Sequence, residues 1–345
     1  MPRPPARVLL ILLSLVLSVA LAACATGVST GALSAQDAAA QKSSGIPAGT
    51  VLNIGDQEQY LETLLQASGQ LRGLPYTVNF VQFASGPLVD AGFAANRIDA
   101  GYMGDLPATV SVSSHLPVKA VAVTLPIGAS EFLLAQPGIT SIAQLKGKPV
   151  AYTTGTAEQA FALRALAQAK LTQKDVHQVD VSLQQLGTVL QSGSAAASIV
   201  SVQQKIDYQE THPGAKVLAT NVTAKPPSYD YVLATTSALA SPAKKTAIGD
   251  FLRRYVAATN WEKSHQNQYV NAYYVDVEHQ TPAEAKQILA AGGETNSVPI
   301  TPAVQQALQT VVNLMASAGA IPAAFSVTPL YNADVSDYFN AIVQK

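Results

Sequence analysis

The stretch YTVNFVQFASGPLVDAGFAANRIDAGYMG, residues 76–104, decides the fold. It begins with an apolar, β-rich segment at 76–83, continues through a helix-forming segment at 88–95, and ends in another apolar segment at 98–103. A strand, a helix and a strand in this order form a βαβ unit, whose two strands run parallel. Strands this apolar are typical of a sheet covered by helices. The stretch therefore predicts an α/β fold with a largely parallel sheet.

The same alternation continues on both sides of this stretch. Before it we predict a strand at 51–54 and a helix at 59–70, and after it a helix at 106–113 and a strand at 118–123. A second series starts near Val150, with strands at 150–153, 178–183 and 198–200 and helices at 158–169, 187–191 and 202–210. Two such series are typical of two α/β lobes, each a mostly parallel sheet flanked by helices.

Two segments are expected to cross between the lobes, which makes the first lobe discontinuous in sequence. One is 124–136, which ends in an apolar run, and the other is a return strand at 229–235 after Pro226 and Pro227. From Pro242 onward the pattern is helical, at 251–261, 266–274, 282–289 and 304–316. We therefore predict a signal peptide at 1–23, a flexible tether at 24–49, a first lobe formed by 50–127 and 228–345, and a second lobe at 128–227.

The N-terminal region has the features of an export signal. Arg3 and Arg7 precede an apolar run that closes with Leu21-Ala22-Ala23-Cys24, and Cys24 is the only cysteine. The run is short for a membrane span, which needs about 20 apolar residues. The tetrapeptide resembles a bacterial lipobox, which implies lipidation of Cys24 and a membrane anchor. The alternative is an ordinary secretory signal with an incidental cysteine; either interpretation places the mature protein in the periplasm or at the cell surface.

Composition excludes several classes of partner. The formal net charge is −1 and the chain has no long basic run, which disfavours nucleic acid and acidic lipid surfaces as partners. A single cysteine cannot form an internal disulfide. Residues 25–49 are small or polar, so they cannot bury enough apolar surface to fold and are predicted to form the flexible tether.

The sequence has no clear catalytic constellation. Its five histidines show no pair at the helical spacing of metal ligands, and neither a Gly-x-Ser-x-Gly motif nor a phosphate-binding Gly-Lys-Ser/Thr loop occurs. Ser241-Pro242-Ala243-Lys244 matches a Ser-x-x-Lys pattern, but its companion motifs are missing, and we interpret it as a helix cap followed by a solvated lysine. We expect no enzymatic activity, no cofactor and no metal.

Several motifs in a fixed order resemble those of a known family. They are residues 83–87 (FASGP), 96–102 (NRIDAGY), 104–107 (GDLP), 141–150 (SIAQLKGKPV) and 320–322 (AIP). Together they resemble the substrate-binding proteins of ABC transporters for aliphatic sulfonates, taurine and nitrate, which have the periplasmic binding protein type II fold. The resemblance covers nearly the whole mature chain.

The resemblance implies both a fold and a function. Two lobes would close by a hinge motion on a small ligand in the cleft between them. The ligand would be an organosulfonate or a related oxyanion such as nitrate, and a monomeric protein would deliver it to an ABC permease with its ATPase. The alternatives are a binder of a pyrimidine or thiamine precursor, which stacking residues in the cleft would favour, and an enzyme or sensor domain on the same fold.

Within that fold, ligands lie beyond the carboxyl ends of strands, beside helix N-termini that attract anions. In the first lobe this directs attention to Gln57, Gln59 and Tyr60, or else to a plain solvated turn. Ser85 and Gly86 open the next helix, where Ser85 either caps or contacts a ligand. Asp105 suits a helix cap; if it faces the cleft, its charge favours an amine-bearing ligand.

In the second lobe the best oxyanion site is Thr154-Gly155-Thr156, although a helix cap explains these residues nearly as well. Gln203 stands where the resembled proteins often carry aromatic residues, which suggests a larger or more polar ligand. Tyr229 would supply an aromatic contact, unless it only packs beside the prolines. No cleft loop carries an obvious arginine, since Arg164 lies inside a helix, so bidentate phosphate capture is not favoured.

Overall fold

The computed structural model describes residues 45–291 and 294–344. Its strands are β1 (Val51–Gln57), β2 (Thr77–Phe83), β3 (Ala100–Gly104), β4 (Val118–Pro126), β5 (Glu131–Ala135), β6 (Pro149–Ala151), β7 (His177–Val179), β8 (Ala197–Ser201), β9 (Lys216–Thr220), β10 (Asp230–Thr235) and β11 (Thr295–Ser297). The predicted signal peptide, Cys24 and most of the predicted tether lie outside the described residues.

The helices alternate with these strands in the first two thirds of the described chain and dominate the last third. They are α1 (Tyr60–Ala67), α2 (Gly86–Ala94), α3 (Asp105–Ser113), α4 (Ala157–Gln168), α5 (Leu186–Gln191), α6 (Val202–Thr211), α7 (Thr236–Ala240), α8 (Pro242–Ser264), α9 (Gln266–Val270), α10 (Pro282–Ala291), α11 (Pro302–Ser317) and α12 (Ala333–Val343). A π-helical turn, Asn271–Val275, follows α9 directly. None of the helices in the described ranges is long and apolar enough to cross a bilayer.

The first sheet has the strand order β11-β4-β10-β3-β1-β2. The strand β1 pairs in parallel with β2 over seven residue pairs, from Val51 and Thr77 to Gln57 and Phe83, and also in parallel with β3. The strand β10 lies antiparallel between β3 and β4. Chain order and sheet order therefore differ, because β10 follows the strands of the second sheet in the chain but lies in the middle of the first sheet.

The second sheet has the strand order β7-β6-β8-β5-β9. The strands β7, β6 and β8 are parallel, and β5 runs antiparallel between β8 and β9. Each sheet thus contains one internal strand that runs opposite to its neighbours. These two strands, β5 and β10, lie in the two segments that were predicted to cross between the lobes. Since the carboxyl ends of the parallel strands lie at the same edge as the amino end of the reversed strand, β5 and β10 each place their first residue at that edge.

Two large apolar clusters hold the layers together. The first is built on Leu52, Ile54 and Val121 of the first sheet, which are buried among the helices that flank it. The second is built on Val150 and Ile199 of the second sheet and includes Phe161 of α4. Full burial of such a side chain contributes about 1.5–3 kcal/mol, so these clusters are the main source of stability in a chain without an internal disulfide.

The strands of the first sheet come from residues 51–126 and 230–297, and those of the second from 131–220. We propose that the two sheets are the centres of the two predicted lobes. Two helices connect them: Val311 and Met315 of α11 lie in the second cluster, and Ile288 of α10 packs with Phe132 and Leu134 of β5. The C-terminal region therefore contacts both halves of the molecule.

Several local predictions are confirmed and others need correction. The hydroxyl of Ser241 accepts a hydrogen bond from the backbone N–H of Lys244 and so caps α8 as predicted, but the prediction that Lys244 is simply solvated is wrong, because its Nζ donates to Asp99 Oδ1 at 2.7 Å. The predicted strand at 178–183 ends at Val179, because the Asp180 carboxyl turns to accept hydrogen bonds from Thr154. The sequence did not indicate β9, β11 or α12, whose short or amphipathic patterns gain order by packing on the rest of the fold.

Candidate ligand-binding site

A pocket of about 310 Å³ lies between the two sheets, at the edge where the parallel strands end. Gln57 and Gly104 reach it from the ends of β1 and β3, and Thr156 reaches it from the loop before α4. The two halves of the molecule are in contact beside it: a Cβ atom on Gly104 would lie 2.8 Å from the Cβ of Ala157. The side-chain amide of Gln184 also donates to the Glu58 carboxylate across the pocket, at 3.3 Å. Both halves therefore contribute walls to one site.

Five tyrosines form an aromatic wall along the pocket: Tyr60, Tyr102, Tyr269, Tyr273 and Tyr274. The ring centroids of Tyr60 and Tyr102 are 5.0 Å apart, and the ring of Tyr273 meets Tyr60 edge-on at 6.3 Å. Tyr269 stacks on Tyr273 at 5.8 Å, and Tyr274 lies edge-on to Tyr273 at 5.0 Å. Such tilted and edge-on pairs hold rings firmly in place. We call these five residues the tyrosine cluster.

The other prominent feature of the pocket is its carboxyl groups, which we call the acidic lining: Glu58, Glu131, Glu158, Asp230, Glu262 and Glu294. The described residues that line the pocket include no lysine, arginine or histidine. Two cations outside the lining act on these carboxyls: Arg164 on Glu131 and Lys263 on Glu262. The site is therefore strongly acidic.

Burial raises the pKa of most of these carboxyls. The pKa of Asp230 rises to about 7 and that of Glu262 to about 8, in both cases mainly through desolvation. Burial and the charges of Glu158 and Asp230 raise the pKa of Glu131 well above its usual range. Burial also raises the pKa values of Glu58 and Glu158. Like charges gathered in a poorly solvated space make each carboxyl costly to ionise, so Glu262, with a pKa of about 8, is mostly protonated at pH 7.

Glu262 is the most isolated of these groups. Its side chain on α8 is 3 % exposed, and among the described residues its Oε2 atom has no hydrogen-bond partner. The neighbouring carboxylate of Glu294 accepts a hydrogen bond from the Gln266 amide at 3.0 Å. An unpaired buried carboxyl carries the full cost of desolvation, so a polar partner from the ligand would be strongly favoured at this position.

The helix N-termini beside the pocket carry their own carboxylates. Asp56, which is fully buried, accepts hydrogen bonds from the backbone N–H groups of Leu61 and Glu62 at the start of α1, at 2.9 and 3.0 Å. Glu158 lies in the first turn of α4, where its carboxyl interacts with its own backbone N–H. These donors are the ones that would otherwise attract an external anion.

Asp105 forms a buried ion pair in place of the predicted contact with a ligand. Its Oδ1 accepts from the backbone N–H of Leu106 at 2.7 Å, and its Oδ2 accepts from Arg164 Nη1 at 2.7 Å. Ser228 joins the pair, since its hydroxyl lies 3.0 Å from Asp105 Oδ2 and 2.9 Å from Arg164 Nη2. The pair links α3 to α4 behind the pocket and joins the two halves of the molecule.

Four of the residues predicted from the sequence line the pocket: Gln57, Tyr60, Gly86 and Thr156. The side-chain amide of Gln57 donates to the backbone carbonyl of Tyr102 at 2.8 Å, and the hydroxyl of Thr156 donates to the carbonyl of Thr153 at 2.8 Å. Both groups therefore help to shape the wall of the pocket.

The remaining predicted residues lie outside the pocket lining: Gln59, Ser85, Asp105, Thr154, Gly155, Gln203 and Tyr229. Thr154 is exposed and hydrogen-bonds to Asp180, and the backbone N–H of Gly155 donates to the Gln159 side chain at 2.9 Å. Gln203 donates to Asp207 within α6, and Tyr229 packs against the first apolar cluster. Local partners thus satisfy most of the donors that the sequence suggested for an oxyanion.

Sequence reasoning missed the residues that give the site its character. Glu131 and Asp230 are the first residues of β5 and β10, and a search restricted to loops after strands does not reach them. The predicted crossings could have indicated these residues. A strand that begins where the chain crosses between the lobes has its first residue at the cleft. Glu262 and the tyrosines after it lie on helices that sequence alone does not place beside the pocket.

Solved structures define the class of fold. The periplasmic aliphatic sulphonate binding protein SsuA of Escherichia coli superposes with a TM-score of 0.71 at 21% identity, covering 83% of this chain and 92% of that one. The alkanesulfonate-binding protein SsuA of Xanthomonas axonopodis, bound to MOPS, gives 0.71 at 19% identity, covering 83% and 99%. This chain therefore has the periplasmic binding protein fold, and the predicted α/β architecture of two sheets flanked by helices is confirmed.

Sequence comparison gives the family. The profile described as NMT1/THI5 like matches residues 77–268, more than half of the chain, and the chain belongs to this family. A protein of Escherichia coli (strain K12) named for binding aliphatic sulfonates is 28% identical over 151 residues, 42% of this chain and 47% of that protein. A binding protein of Brucella abortus is 27% identical over 139 residues. The chain thus matches about half the length of these curated relatives.

Proposed function

We propose that this chain is the solute-binding component of an ABC importer, which captures a small ligand in the pocket between the two sheets and delivers it to a permease. One observation carries the proposal: a single pocket of about 310 Å³ receives walls from both halves of the molecule. This volume lies at the lower end of the range for small-molecule sites. A ligand that contacts both walls favours the closed arrangement, which gives the permease a signal that the pocket is loaded.

The relatives named for aliphatic sulfonates make an organosulfonate the first ligand class to test. The tyrosine cluster offers an apolar surface for the carbon skeleton of such a ligand. The same rings would stack on a flat heterocycle, so an aminopyrimidine belongs in the same panel. Nitrate completes the panel as a small oxyanion without a carbon skeleton.

The proposed role is binding without chemistry. The desulfurization enzyme DszB shares the fold with a TM-score of 0.61 at 12% identity, which speaks to the fold alone. The relatives that match by sequence are named as binding proteins, which supports the binding role. Recovery of the ligand unchanged after incubation with the protein, measured by mass spectrometry, tests this part of the proposal.

The proposed location is extracytoplasmic, with the protein tethered as a monomer to a membrane through a lipid on Cys24. The mostly small and polar residues of 24–44 would let the binding region reach a permease in the same membrane, whereas the predicted tether ends before residue 49, because Ile46 is buried in the first apolar cluster. The lobe bounds of 50–127 with 228–345, and of 128–227, belong to the same proposal.

The test of the proposed function is thermal unfolding of the purified protein with short alkanesulfonates, taurine, nitrate and an aminopyrimidine. A ligand that binds only the folded state at about 100 times its Kd adds about 2.7 kcal/mol to the free energy of unfolding. At least one compound is expected to raise the melting temperature in a concentration-dependent way. An unchanged melting temperature with every compound would contradict the proposal.

A further inference from the structure

The acidic lining and the tyrosine cluster together indicate the charge of the ligand. A carboxylate-rich pocket without a lining cation repels an anion, and its own groups repel one another. Glu131 on β5, Glu158 on α4 and Asp230 on β10 all line the pocket. Burial and the charges of Glu158 and Asp230 raise the pKa of Glu131, as like charges in one poorly solvated space do. A bound positive charge would relieve the repulsion, whereas a sulfonate would add to it.

The tyrosine cluster provides the surface that organic cations prefer. The faces of aromatic rings attract an ammonium or amidinium group held within about 6 Å of the ring centre, most strongly where water is excluded. Tyr273 contacts Tyr60 edge-on at 6.3 Å and stacks on Tyr269 at 5.8 Å, and all three rings line the pocket. Tyr269 and Tyr273 are themselves buried, so an ammonium group that lies against this wall would lose much of its contact with water.

Glu262 lies next to these rings and has a free acceptor atom. Glu262 lines the same pocket as Tyr60, Tyr269 and Tyr274, and its charge adds to burial in raising the pKa values of all three tyrosines. It is 3 % exposed and its Oε2 has no partner among the described residues. An ammonium N–H or an amidinium supplies both the charge and the hydrogen bond that this atom lacks.

Two of the helix N-termini beside the pocket, which would suit a sulfonate, hold carboxylates of the chain itself. Asp56 occupies the N-terminus of α1, and Glu158 lies in the first turn of α4. Arg164, which acts on Glu131 from behind the wall, pairs with Asp105 at 2.7 Å. At these places the groups that would attract an oxyanion have an anionic partner from the chain, whereas the first turn of α2, where Gly86 lines the pocket, carries no acidic residue.

We propose that the pocket recognises its ligand through a cationic nitrogen, seated among Tyr60, Tyr269 and Tyr273 and hydrogen-bonded to Glu262. The ligand class is a small organic ammonium or amidinium compound, whether a simple cation or a zwitterion whose anionic end points away from the acidic lining. This inference rests on the proposed solute-binding function and specifies the ligand that it leaves open. Carboxyls from several separate elements together with aromatic rings suit a charge spread over an organic group better than a compact metal ion.

The test is calorimetry on the purified protein with compounds that share one carbon skeleton: benzylamine, phenylmethanesulfonate and benzyl alcohol, with calcium chloride as an inorganic cation. Benzylamine is expected to bind at least about tenfold more tightly than the alcohol or the sulfonate. Glu262→Gln keeps the shape of the side chain but cannot release a proton to become the carboxylate that pairs with the bound cation, so it should weaken benzylamine binding by about tenfold or more. Glu210→Gln is the matched control, because Glu210 is exposed and lies outside the pocket lining.

A second variant keeps the test valid if Glu262→Gln fails to fold. Tyr273→Leu removes one ring of the cluster and should weaken benzylamine binding, while Tyr338→Leu, at a tyrosine that is 43 % exposed, should leave it unchanged. Tighter binding of the sulfonate than of the amine, with no loss in Glu262→Gln, would overturn the inference and leave the proposed function standing. Binding of calcium without binding of benzylamine would also overturn it. Failure of these compounds and of the sulfonate, nitrate and pyrimidine panel would overturn both.

Discussion

Replacing Glu262 with glutamine is expected to stabilise the ligand-free protein near neutral pH. The carboxyl is 3 % exposed, its Oε2 has no partner among the described residues, and burial raises its pKa from 4.5 to about 8. Folding at pH 7 therefore requires this group to take up a proton that the unfolded chain has lost. Each pH unit between 4.5 and 7 costs about 1.4 kcal/mol, which sums to about 3 kcal/mol as an upper estimate. Glutamine avoids this cost.

The effect should depend on pH in a defined direction. An acid whose pKa is raised by folding contributes its stability below the unfolded pKa and loses it as pH rises through the folded pKa. The gain from Glu262→Gln should therefore be under about 1 kcal/mol at pH 5, about 3 kcal/mol at pH 7, and constant above pH 8. The charged groups that act on Glu262 are Glu294, which raises its pKa further, and Lys263, which lowers it.

Urea denaturation at pH 5, 7 and 9 measures this directly, with Glu210→Gln as a control that should show no change at any pH. In a thermal scan at pH 7 the gain corresponds to about 5 °C for a folded region of this size. An equal gain at pH 5 and pH 7, or a loss of stability at pH 7, would refute the reasoning that the unpaired carboxyl is costly. A variant that is more stable and yet loses cation binding would show that the pocket gives up stability for recognition.

Three further variants test other parts of the structure. Arg164→Leu leaves Asp105 buried and unpaired and should cost about 3–5 kcal/mol in urea denaturation, most of which Asp105→Leu in the same chain should restore; an additive double variant would contradict this. Gly104→Ala places a Cβ 2.8 Å from that of Ala157, so it should hold the two halves apart and weaken ligand binding about tenfold in calorimetry. Ala157→Gly should rescue it, and normal affinity in Gly104→Ala would mean that this contact is not needed. Cys24→Ser should release the protein from membranes on cell fractionation, and continued membrane association would indicate a different anchor.

The fold was largely predictable because its signals are local. The alternation of apolar strands and helices, such as β2, α2 and β3, is a property of consecutive residues, and most observed elements begin and end within a few residues of the predicted ones, although α8 begins at Pro242, nine residues before the helix predicted at 251–261. The exceptions are short strands such as β9 and β11, which carry too few residues for a periodic pattern. Their pairing with β5 and β4 supplies the stability that their sequences lack.

The site was less predictable because it depends on where distant segments meet. The rule that ligands lie beyond strand ends directed attention to Gln57, Tyr60 and Thr156, which line the pocket. It also suggested Thr154 and Asp105, whose polar atoms are satisfied by Asp180 and Arg164. A list of residue types does not show whether a donor has already found a partner within the chain.

The sequence by itself determined the α/β class, the two series of strands and the family, because hydrophobic periodicity and short motifs are properties of neighbouring residues. Only the tertiary structure decided the chemistry of the pocket. The reversed directions of β5 and β10 bring Glu131 and Asp230 to the same edge as the ends of the parallel strands, and helix packing adds Glu262 and the tyrosine cluster. The charge of the site is the sum of charges from segments that lie far apart in the chain. Long-range packing brings these segments together, and a pattern of neighbouring residues does not contain that information.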